Sequence, residues 1–415
     1  MYEYAMNELE LRRSYIKIAV IAVMVFSMVM VSWPSNSKNV APPPPFDQWL
    51  QSLKAEAISL GVKRTTVNQA LDGILPIPRI IELDRSQPEF TLTLGSYFSK
   101  AVTSTRIAKG REMLEKHTVL LRRIYEKFGV QPRFIVAFWG LESNFGQYTG
   151  VFPVVNALVT LSHDRRRSSF FREQLLAVLQ LIDKGHFPID VKGSWAGAMG
   201  NHQFIPTTYR DFAVDFDGDG IRDLWNSLPD IFASAANYLA RAGWQRDQTW
   251  GREVRLSGPF DMALTGLQIQ KSLREWDSLG VRRVDGRKLP NAMIDGASLL
   301  LPAGYKGPKF LVYQNYRTTM VWNRSRLYAF AVGHLSDRLI GKPPIQADLG
   351  DLQPLARSKV IEIQERLNKA GFKAGEPDGR VGPMTRNAIR RYQIKHGLPP
   401  DGFPNSQLIN HLSNK

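Results

Sequence analysis

A single acidic residue, Glu142, closes the run of large apolar residues in the stretch 133–146. Pro132 suits the first turn of a helix, and the glycines at 140 and 146 suit its end. We therefore expect Glu142 to lie near the C-terminus of a helix, packed against neighbouring aromatic side chains.

Two effects at such a position would raise the pKa of Glu142. Packing against Phe138, Trp139 or Phe145 removes water from the carboxyl group, and the negative end of the helix dipole disfavours its anion. A carboxylic acid that keeps its proton near neutral pH can donate it to a departing glycosidic oxygen. The alternative is a structural Glu that caps the helix or forms a salt bridge.

A second stretch, 193–206, is rich in Gly and Ala and is predicted to form a turn and a short helix. Small residues at this density let another chain approach the backbone closely. Ser194 and Gln203 supply polar groups suited to sugar hydroxyl or acetamido groups. The alternative is a tightly packed turn that binds no ligand.

A third stretch resembles the first half of a calcium loop, because acidic residues alternate before a glycine at the turn. The twelfth position of the loop is Asn226, where a bidentate Glu is usual, so Asp230 is the candidate for the missing carboxylate. The predicted ligands of a structural Ca²⁺ are Asp215, Asp217, Asp219, the carbonyl of Ile221, and Asp230. The alternative is a solvated loop of Asx turns without metal. No cofactor is predicted for the chemistry itself.

The composition and net charge of the chain exclude several classes of partner and catalytic site. The net charge of +16 suggests an anionic partner, but the basic residues are scattered, so no nucleic acid is predicted. The absence of Cys excludes disulfides, a Cys nucleophile, Cys-ligated zinc and an acylated Cys. The sequence has no HExxH, GxSxG, Walker A or GxGxxG motif.

The N-terminus predicts export from the cytoplasm. Arg12, Arg13 and Lys17 precede the uncharged apolar run Ile18–Val31, which is shorter than the ~20 residues that span a bilayer comfortably. Residues 1–34 therefore read as a signal peptide. An uncleaved inner-membrane anchor stays open, since a thinned bilayer accommodates a short span. Residues 35–45 form a Pro-rich linker.

The remaining pattern is mainly helical, with a small β-containing insert. Apolar spacing predicts helices from Phe46 to about Leu60 and over Thr66–Leu71, Thr91–Val102, Lys109–Phe128, Val154–Leu161, Phe171–Lys184, Asp230–Ala242 and Asn323–Leu339. Short strands are predicted over Arg252–Leu256, Ser298–Pro302 and Lys309–Tyr313. Residues 341–354 read as a second linker, and residues 355–413 as a separate unit.

Several of these segments together resemble the membrane-bound lytic murein transglycosylase B family, which is glycoside hydrolase family 103. The matching segments are Phe138–Gly146, Gly193–Gly200, Gln203–Pro206, Asp215–Asp219 and Asn237–Leu239. The resemblance implies a lysozyme-like helical catalytic domain over residues 46–340. It also implies cleavage of the β-1,4 bond between N-acetylmuramic acid and N-acetylglucosamine, with formation of a 1,6-anhydromuramic end. Glu142 stands in the place of the family's single catalytic Glu.

The resemblance further assigns substrate-binding positions. They are Ser194, Gln203, Tyr238, Asn323, Tyr328, Arg166, Arg167 and Tyr97. For the basic cluster of His163 and Arg165–Arg167, the alternative is a solvated surface. The chain departs from the family in two ways. It has Trp322 at a position where the family also carries Tyr, and it lacks a Cys for lipidation.

The C-terminal unit resembles the type 1 peptidoglycan-binding domain, a three-helix module. The matching residues are Ile363-Gln364, Leu367, Gly371-Phe372, Asp378-Gly379, Gly382–Thr385, Ala388-Ile389, Tyr392-Gln393, Gly397-Leu398 and Asp401-Gly402. The implied partner is the glycan strand of peptidoglycan in the periplasm, while no motif identifies a partner enzyme. Two other functions stay open: a hydrolytic muramidase with Asp211 or Glu173 as second carboxylate, and a non-catalytic wall-binding scaffold.

Overall fold

The computed structural model describes residues 44–85, 92–164, 166–350 and 355–413, with Ser406 described only by its backbone. The predicted signal peptide or anchor and nearly all of the Pro-rich linker lie outside these residues. Within the described ranges, no helix is both long enough and apolar enough to cross a membrane.

The chain divides into two compact units. The first holds residues up to 87 and from 112 to 241. Its helices are Phe46–Ser59, Arg64–Leu71, Pro78–Arg85, Thr118–Phe128, Pro132–Ser143, Val154–His163, Ser168–Asp183, Pro206–Phe212 and Leu228–Arg241. Two short strands, β1 (Phe152–Pro153) and β2 (Lys192–Gly193), pair antiparallel with Phe152 opposite Gly193.

The helix Pro132–Ser143, here called the Glu142 helix, is buried on every side. Pro132 stands in its first turn, and each residue from Phe134 to Ser143 is buried. A helix that is apolar all round belongs in a protein interior. It ends where Asn144 and Phe145 take left-handed φ values of 51° and 61°, so the chain turns sharply just after Glu142.

The second unit holds residues 88–111 and 242–415, of which the described ones form a small sheet, helices and the C-terminal module. Its helices are Leu94–Ala101, Leu273–Ser278, Gln314–Trp322, Arg326–Leu339, Arg357–Lys369, Pro383–Lys395 and Ser406–Ser413. The helix Ser104–Lys116 belongs partly to each unit.

The small sheet confirms the predicted β-containing insert. Its strands are β3 (Gly251–Leu256), β4 (Val281–Arg283), β5 (Ser298–Leu300) and β6 (Lys309–Val312), in the antiparallel order β4-β3-β6-β5. Leu273, Trp276 and Leu311 are among the residues of its core. The sequence pattern missed β4, whose three residues are too short for alternation to show.

Two predicted helices differ from the structure. The helix expected over Lys109–Phe128 is two helices, because His117 leaves the helical conformation (φ −109°, ψ 20°) between them. The helix expected over Asn323–Leu339 begins only at Arg326, where the Ser325 hydroxyl accepts the N–H of Tyr328 and caps it. Apolar spacing continues across both breaks, so periodicity alone does not show them.

The C-terminal module has the three predicted helices around Leu367, Ile389, Leu408 and other apolar residues. Two buried glutamines hold its turns. Gln364 donates to Asp378 Oδ1 (3.0 Å) and accepts the N–H of Gly379 (2.8 Å). Gln393 repeats this arrangement with Asp401 (2.7 Å) and Gly402 (2.8 Å).

Gly150 is a position where the first unit tolerates no side chain. Its φ is +112°, and an added Cβ would lie 1.9 Å from the carbonyl carbon of Gly193. We expect Gly150→Ala to lower the free energy of unfolding by roughly 2–4 kcal/mol, because backbone would have to move beside β1 and β2. Urea denaturation measures the change.

The matched control is Gly73→Ala, at φ +69° with open space around the new Cβ. It should cost only the left-handed strain of about 1 kcal/mol. Equal losses in the two variants would show that the close approach at Gly150 does not matter.

Candidate active site

Glu142 is the penultimate residue of its helix, and its side chain is almost fully buried, at 2% exposure. This confirms the expected place at a helix C-terminus. Trp139, one turn earlier, packs edge-on against Phe145, with ring centroids 5.6 Å apart. Glu142 is therefore withdrawn from water, three residues from each member of a packed aromatic pair.

The Gly-rich loop 193–206 folds back on itself. Met199 forms isolated β-bridges with Gly193 and with Phe204, and Ser194 N–H donates to the carbonyl of Ala198 at 2.7 Å. The predicted turn is confirmed, while the short helix begins only at Pro206.

Three contacts hold this loop beside the Glu142 helix and the segment that follows it. Trp139 Nε1 donates to Asn201 Oδ1 (2.7 Å), and Gln203 Nε2 donates to the carbonyl of Thr149 (3.1 Å). Gly193 pairs with Phe152 across β1 and β2. These contacts place the loop that carries Ser194 and Gln203 against Trp139 of the Glu142 helix and against the segment 149–152.

Ser194 and Gln203 keep hydrogen-bonding capacity in this arrangement. The Ser194 hydroxyl oxygen accepts the N–H groups of Ala196 (3.3 Å) and Ala198 (3.0 Å), so its own hydrogen is available to a ligand. Gln203 Nε2 donates to two carbonyls, while its Oε1 has no hydrogen bond in the described part of the chain. Both side chains are buried but can serve polar groups of a sugar.

Tyr238, on the helix Leu228–Arg241, lies against this loop. Its ring packs edge-on to Phe212 (centroids 4.6 Å apart) and to Phe204 of the loop (6.0 Å). Asn237 donates to the carbonyl of Phe212 at 2.9 Å and fixes the helix beside it. Ser194, Gln203 and Tyr238 thus lie on this loop or on the helix against it, in the same unit as Glu142.

The predicted arginine pair forms ion pairs with a residue that sequence reasoning missed. Arg166 and Arg167 each form an ion pair with one oxygen of Asp84, which is only 3% exposed. Burial lowers the pKa of Arg167, and the charge of Asp84 opposes that shift. No signal in the sequence joins residues 82 positions apart, so Asp84 could not have been chosen.

The other predicted binding residues, Tyr97, Asn323 and Tyr328, belong to the second unit and are all buried. Asn323 Oδ1 accepts the N–H of Ser325 at 2.9 Å. Its buried Nδ2 has no hydrogen-bond partner among the described residues. A substrate-binding role for these three side chains stays a prediction.

Part of the predicted calcium loop is assembled. Carboxylate oxygens of Asp215, Asp217 and Asp230 all lie within 4.8 Å of one another. Burial raises the pKa of Asp230, and the charges of Asp217 and Asp215 add to the shift. A cation at this point would offset that repulsion, so the three residues fit a hard metal with oxygen ligands.

One predicted ligand, Asp219, lies outside the three-carboxylate cluster, and its Oδ1 accepts the N–H of Ile221 at 2.8 Å. The carbonyl of Ile221 stays a predicted ligand. Asp215 also accepts backbone N–H groups, from Gly218 (2.7 Å) and Gly220 (2.9 Å). The loop therefore combines the predicted metal cluster with the Asx-type turns of the alternative.

Comparison with known proteins gives two family matches. The family described as "Transglycosylase SLT domain" matches residues 45–337, and the family described as "Putative peptidoglycan binding domain" matches residues 356–412. Membrane-bound lytic murein transglycosylase B of Escherichia coli K12 is 32% identical over 243 residues. That alignment covers 58% of this chain and 65% of the relative, which is just under two thirds of its length.

The solved structures are similar to a larger share of this chain. SltB3 of Pseudomonas aeruginosa, in complex with NAG-anhNAM-pentapeptide, is 42% identical with a TM-score of 0.84. The match covers 89% of this chain and 100% of that one. Slt35 of Escherichia coli, in complex with calcium, is 27% identical with a TM-score of 0.60, covering 70% of this chain and 92% of that one.

Asp84 offers a test of how the arginine pair is used. We expect Asp84→Asn to lower the free energy of unfolding by roughly 3 kcal/mol, because it leaves two guanidinium groups without their buried counter-charge. Thermal and urea unfolding measure the loss. Asp72→Asn is the control, since its ion pair with Lys54 is 60% exposed at the carboxylate and is worth less than about 1 kcal/mol. A stable Asp84→Asn protein would contradict the structural role of the pair.

Proposed function

The chain belongs to the transglycosylase SLT domain family, and from this premise we propose that it is a lytic transglycosylase acting on peptidoglycan. The similarity to structures of SltB3 in complex with NAG-anhNAM-pentapeptide and with NAG-NAM-pentapeptide supports this substrate and an anhydro product. The proposed bond is the β-1,4 link from N-acetylmuramic acid to N-acetylglucosamine.

Glu142 is the proposed general acid. The observation that carries this assignment is a carboxyl group 2% exposed at the end of a fully buried helix, beside a loop of small residues. Removing a carboxyl group from water favours its uncharged form. In that form it donates its proton to the glycosidic oxygen as the bond from that oxygen to C1 of the muramic residue breaks.

The same residue then acts as a base. The Glu142 carboxylate takes the proton of the C6 hydroxyl of the muramic residue, and that oxygen forms a bond to C1 in the same sugar. The result is a 1,6-anhydro end and a regenerated carboxylic acid, with no water consumed. One carboxyl group suffices for this cycle, whereas glycosidases that use water generally position two.

The two residues considered as a second carboxylate are placed poorly for that role. Asp211 is exposed and forms a two-point ion pair with Arg210 (2.7 and 3.0 Å), which lowers its pKa. Glu173 is exposed on the helix Ser168–Asp183. These positions favour the lyase over the hydrolase.

Substrate positioning is assigned to the polar groups around the loop. Ser194 would donate its hydroxyl hydrogen, Gln203 would accept at Oε1, and Tyr238 would contribute its ring face and hydroxyl group. Tyr97, Asn323, Tyr328, Arg166 and Arg167 remain proposed contacts on the strength of the family resemblance.

The C-terminal module would keep the enzyme on its polymer. Tethering a binding module to a catalytic domain raises the local concentration of substrate. The proposed location is the periplasm, reached through the basic and apolar N-terminal segment, with the inner membrane as a proposed retention surface.

A structural Ca²⁺ is proposed at Asp215, Asp217 and Asp230. The assembled carboxylates and the calcium complex of the similar Slt35 support it. The ion would join the loop after Val214 to the helix Leu228–Arg241 and take no part in the proton transfers.

Replacing the proposed acid tests the mechanism. We expect Glu142→Gln to reduce release of muropeptides from purified sacculi by at least about 100-fold, because both proton transfers are lost. Binding to sacculi, measured by sedimentation, should persist. The exposed Glu173→Gln and Asp211→Asn are matched controls and should keep wild-type rates.

The mass of the released product separates the two reactions. An anhydro end is one water lighter than a hydrolysed end, and we expect only the lighter product. Hydrolysed ends together with loss of activity in Asp211→Asn or Glu173→Gln would establish a muramidase instead. Undiminished cleavage by Glu142→Gln would remove the assignment of the acid.

Calcium should stabilise the first unit. The raised pKa of Asp230 means that, without metal, the folded state binds this proton more tightly than the unfolded state. Stability therefore falls as the pH rises above the ordinary carboxyl value of 3.8, and Ca²⁺ should restore it. At 100 times the dissociation constant the gain is about 2.7 kcal/mol. Melting temperature with Ca²⁺ and with a chelator measures it.

Substitution of single aspartates tests which residues bind the calcium ion. Asp217→Asn, at an exposed residue, and Asp230→Asn should each abolish the calcium-dependent shift, while the exposed Asp190→Asn should leave it intact. An identical melting temperature with and without chelator in the wild type would rule out the ion.

A further inference from the structure

A cavity of about 690 Å³ lies in the second unit, apart from the groups assigned above to the proton transfers. Its lining includes the C-terminal module, the loop 301–307 beside the sheet and the start of the helix Arg326–Leu339, together with residues 92–94, 265–269 and 348–350. A volume of this size is typical of a small-molecule or peptide site rather than of a single ion.

The charged residues around the cavity are mostly basic. Arg326, Arg386, Arg390 and Lys306 line it, against the two carboxylates Asp348 and Asp401. Burial lowers the pKa of Arg386 to about 10, the positive charge of Arg326 adds to that shift, and the negative charge of Asp401 opposes it. The cavity therefore concentrates positive charge where water is scarce.

Two of these charges are already used to hold the module in place. Arg390 donates to the carbonyl (2.6 Å) and hydroxyl (3.2 Å) of Thr265. Asp401 accepts the N–H of Tyr305 (2.9 Å) and the side-chain amide of Gln393 (2.7 Å). Both groups act as links between the module and the rest of the unit.

The other two arginines have no such role. Arg326 and Arg386 are both half-buried, and no side-chain hydrogen bond or ion pair joins either of them to another residue that the structure describes. The negative charge of Asp401 acts on Arg386 and opposes the effect of burial on its pKa. Since the pKa of Arg386 is lowered despite the charge of Asp401, that carboxylate offsets only part of the penalty of burial. A guanidinium matches a carboxylate with two parallel hydrogen bonds, so an anion that enters from outside would offset the remainder.

The residues that line the cavity indicate what kind of anion it would bind. Leu301, Phe330 and Phe403 are among the apolar side chains that line it. A ligand that fits has a carboxylate for the arginines and small apolar groups for the walls. Short peptides ending in a free carboxylate have this chemistry, and inorganic anions do not.

We propose that this arginine cavity binds a carboxylate of the peptide stem of peptidoglycan through Arg326 and Arg386. The identity of the polymer rests on the proposed function, but the site is separate from Glu142. The enzyme would then hold its substrate at two chemically different points, the glycan by the residues near Glu142 and a peptide stem by the second unit.

The test is calorimetric titration of the full chain with the free pentapeptide stem, which has no sugar to occupy the glycan site. Wild-type protein should bind it, and amidation of the peptide carboxylates should weaken binding at least tenfold. Arg386→Gln and Arg326→Gln should each weaken it about tenfold, while Arg386→Lys should lose less. Lys373→Gln removes the same charge from an exposed position of the module and should bind as wild type does.

Three results would overturn the proposal: equal binding of the amidated peptide, inorganic phosphate binding as tightly as the peptide, or unchanged affinity in both glutamine variants. Near-UV circular dichroism shows which variants are folded, and Arg326→Gln serves if Arg386→Gln is not. Release of anhydro products from intact sacculi is measured alongside. Absence of that release with the wild type would reject the proposed function, whereas absence of peptide binding with normal release rejects only the arginine cavity.

Discussion

The side chain of Asn201 is the point on which the arrangement around Glu142 depends. Its Oδ1 accepts the indole N–H of Trp139, and its Nδ2 donates to the carbonyls of Leu224 (3.1 Å) and Trp225 (2.8 Å). One amide, 3% exposed, therefore ties the Glu142 helix, the Gly-rich loop and the segment that closes the acidic loop. A buried amide leaves costly unpaired groups when any of its bonds is lost, so these three segments are held as a set. The density of glycine follows, because side chains would keep the backbones apart.

Sequence reasoning located the elements that are specified locally. A proline and two glycines mark the ends of the Glu142 helix, and alternating aspartates mark the acidic loop, since each signal lies within a few residues of the feature it forms. It missed what depends on tertiary contact. Asn201 lies 62 residues from Trp139, and Asp84 lies 82 residues from Arg166. The exclusion of Asp219 from the carboxylate cluster likewise follows from backbone bonds within the folded loop rather than from spacing.

The C-terminal module uses the same hydrogen-bonded turn twice, and the two copies have different contacts. Gln364 and Gln393 each join an Asp to the N–H of the glycine that follows it, so one arrangement fixes two turns. Only the second turn also reaches the sheet region, through Asp401 and the N–H of Tyr305. Asp401 accepts hydrogen bonds from neutral donors, and its charge offsets only part of the effect of burial on Arg386, whose pKa stays lowered.

The buried charged groups of the two units differ in how fully neighbouring groups offset their charge. This difference separates structural from functional groups. Asp84 meets two arginines, so its charge is balanced within the fold and its loss would weaken the fold. Asp230 meets two backbone N–H groups (2.7 and 2.9 Å) and two further carboxylates, which stabilises it only in part and favours a cation. Arg386 is acted on by the positive charges of Arg326 and Arg390 and by one opposing carboxylate, Asp401, and its pKa stays lowered. Since a charge in a low-dielectric place carries a penalty that its surroundings must offset, the penalty is balanced at Asp84 and only partly offset at Asp230 and Arg386. The last two are where a molecule from outside has most to contribute.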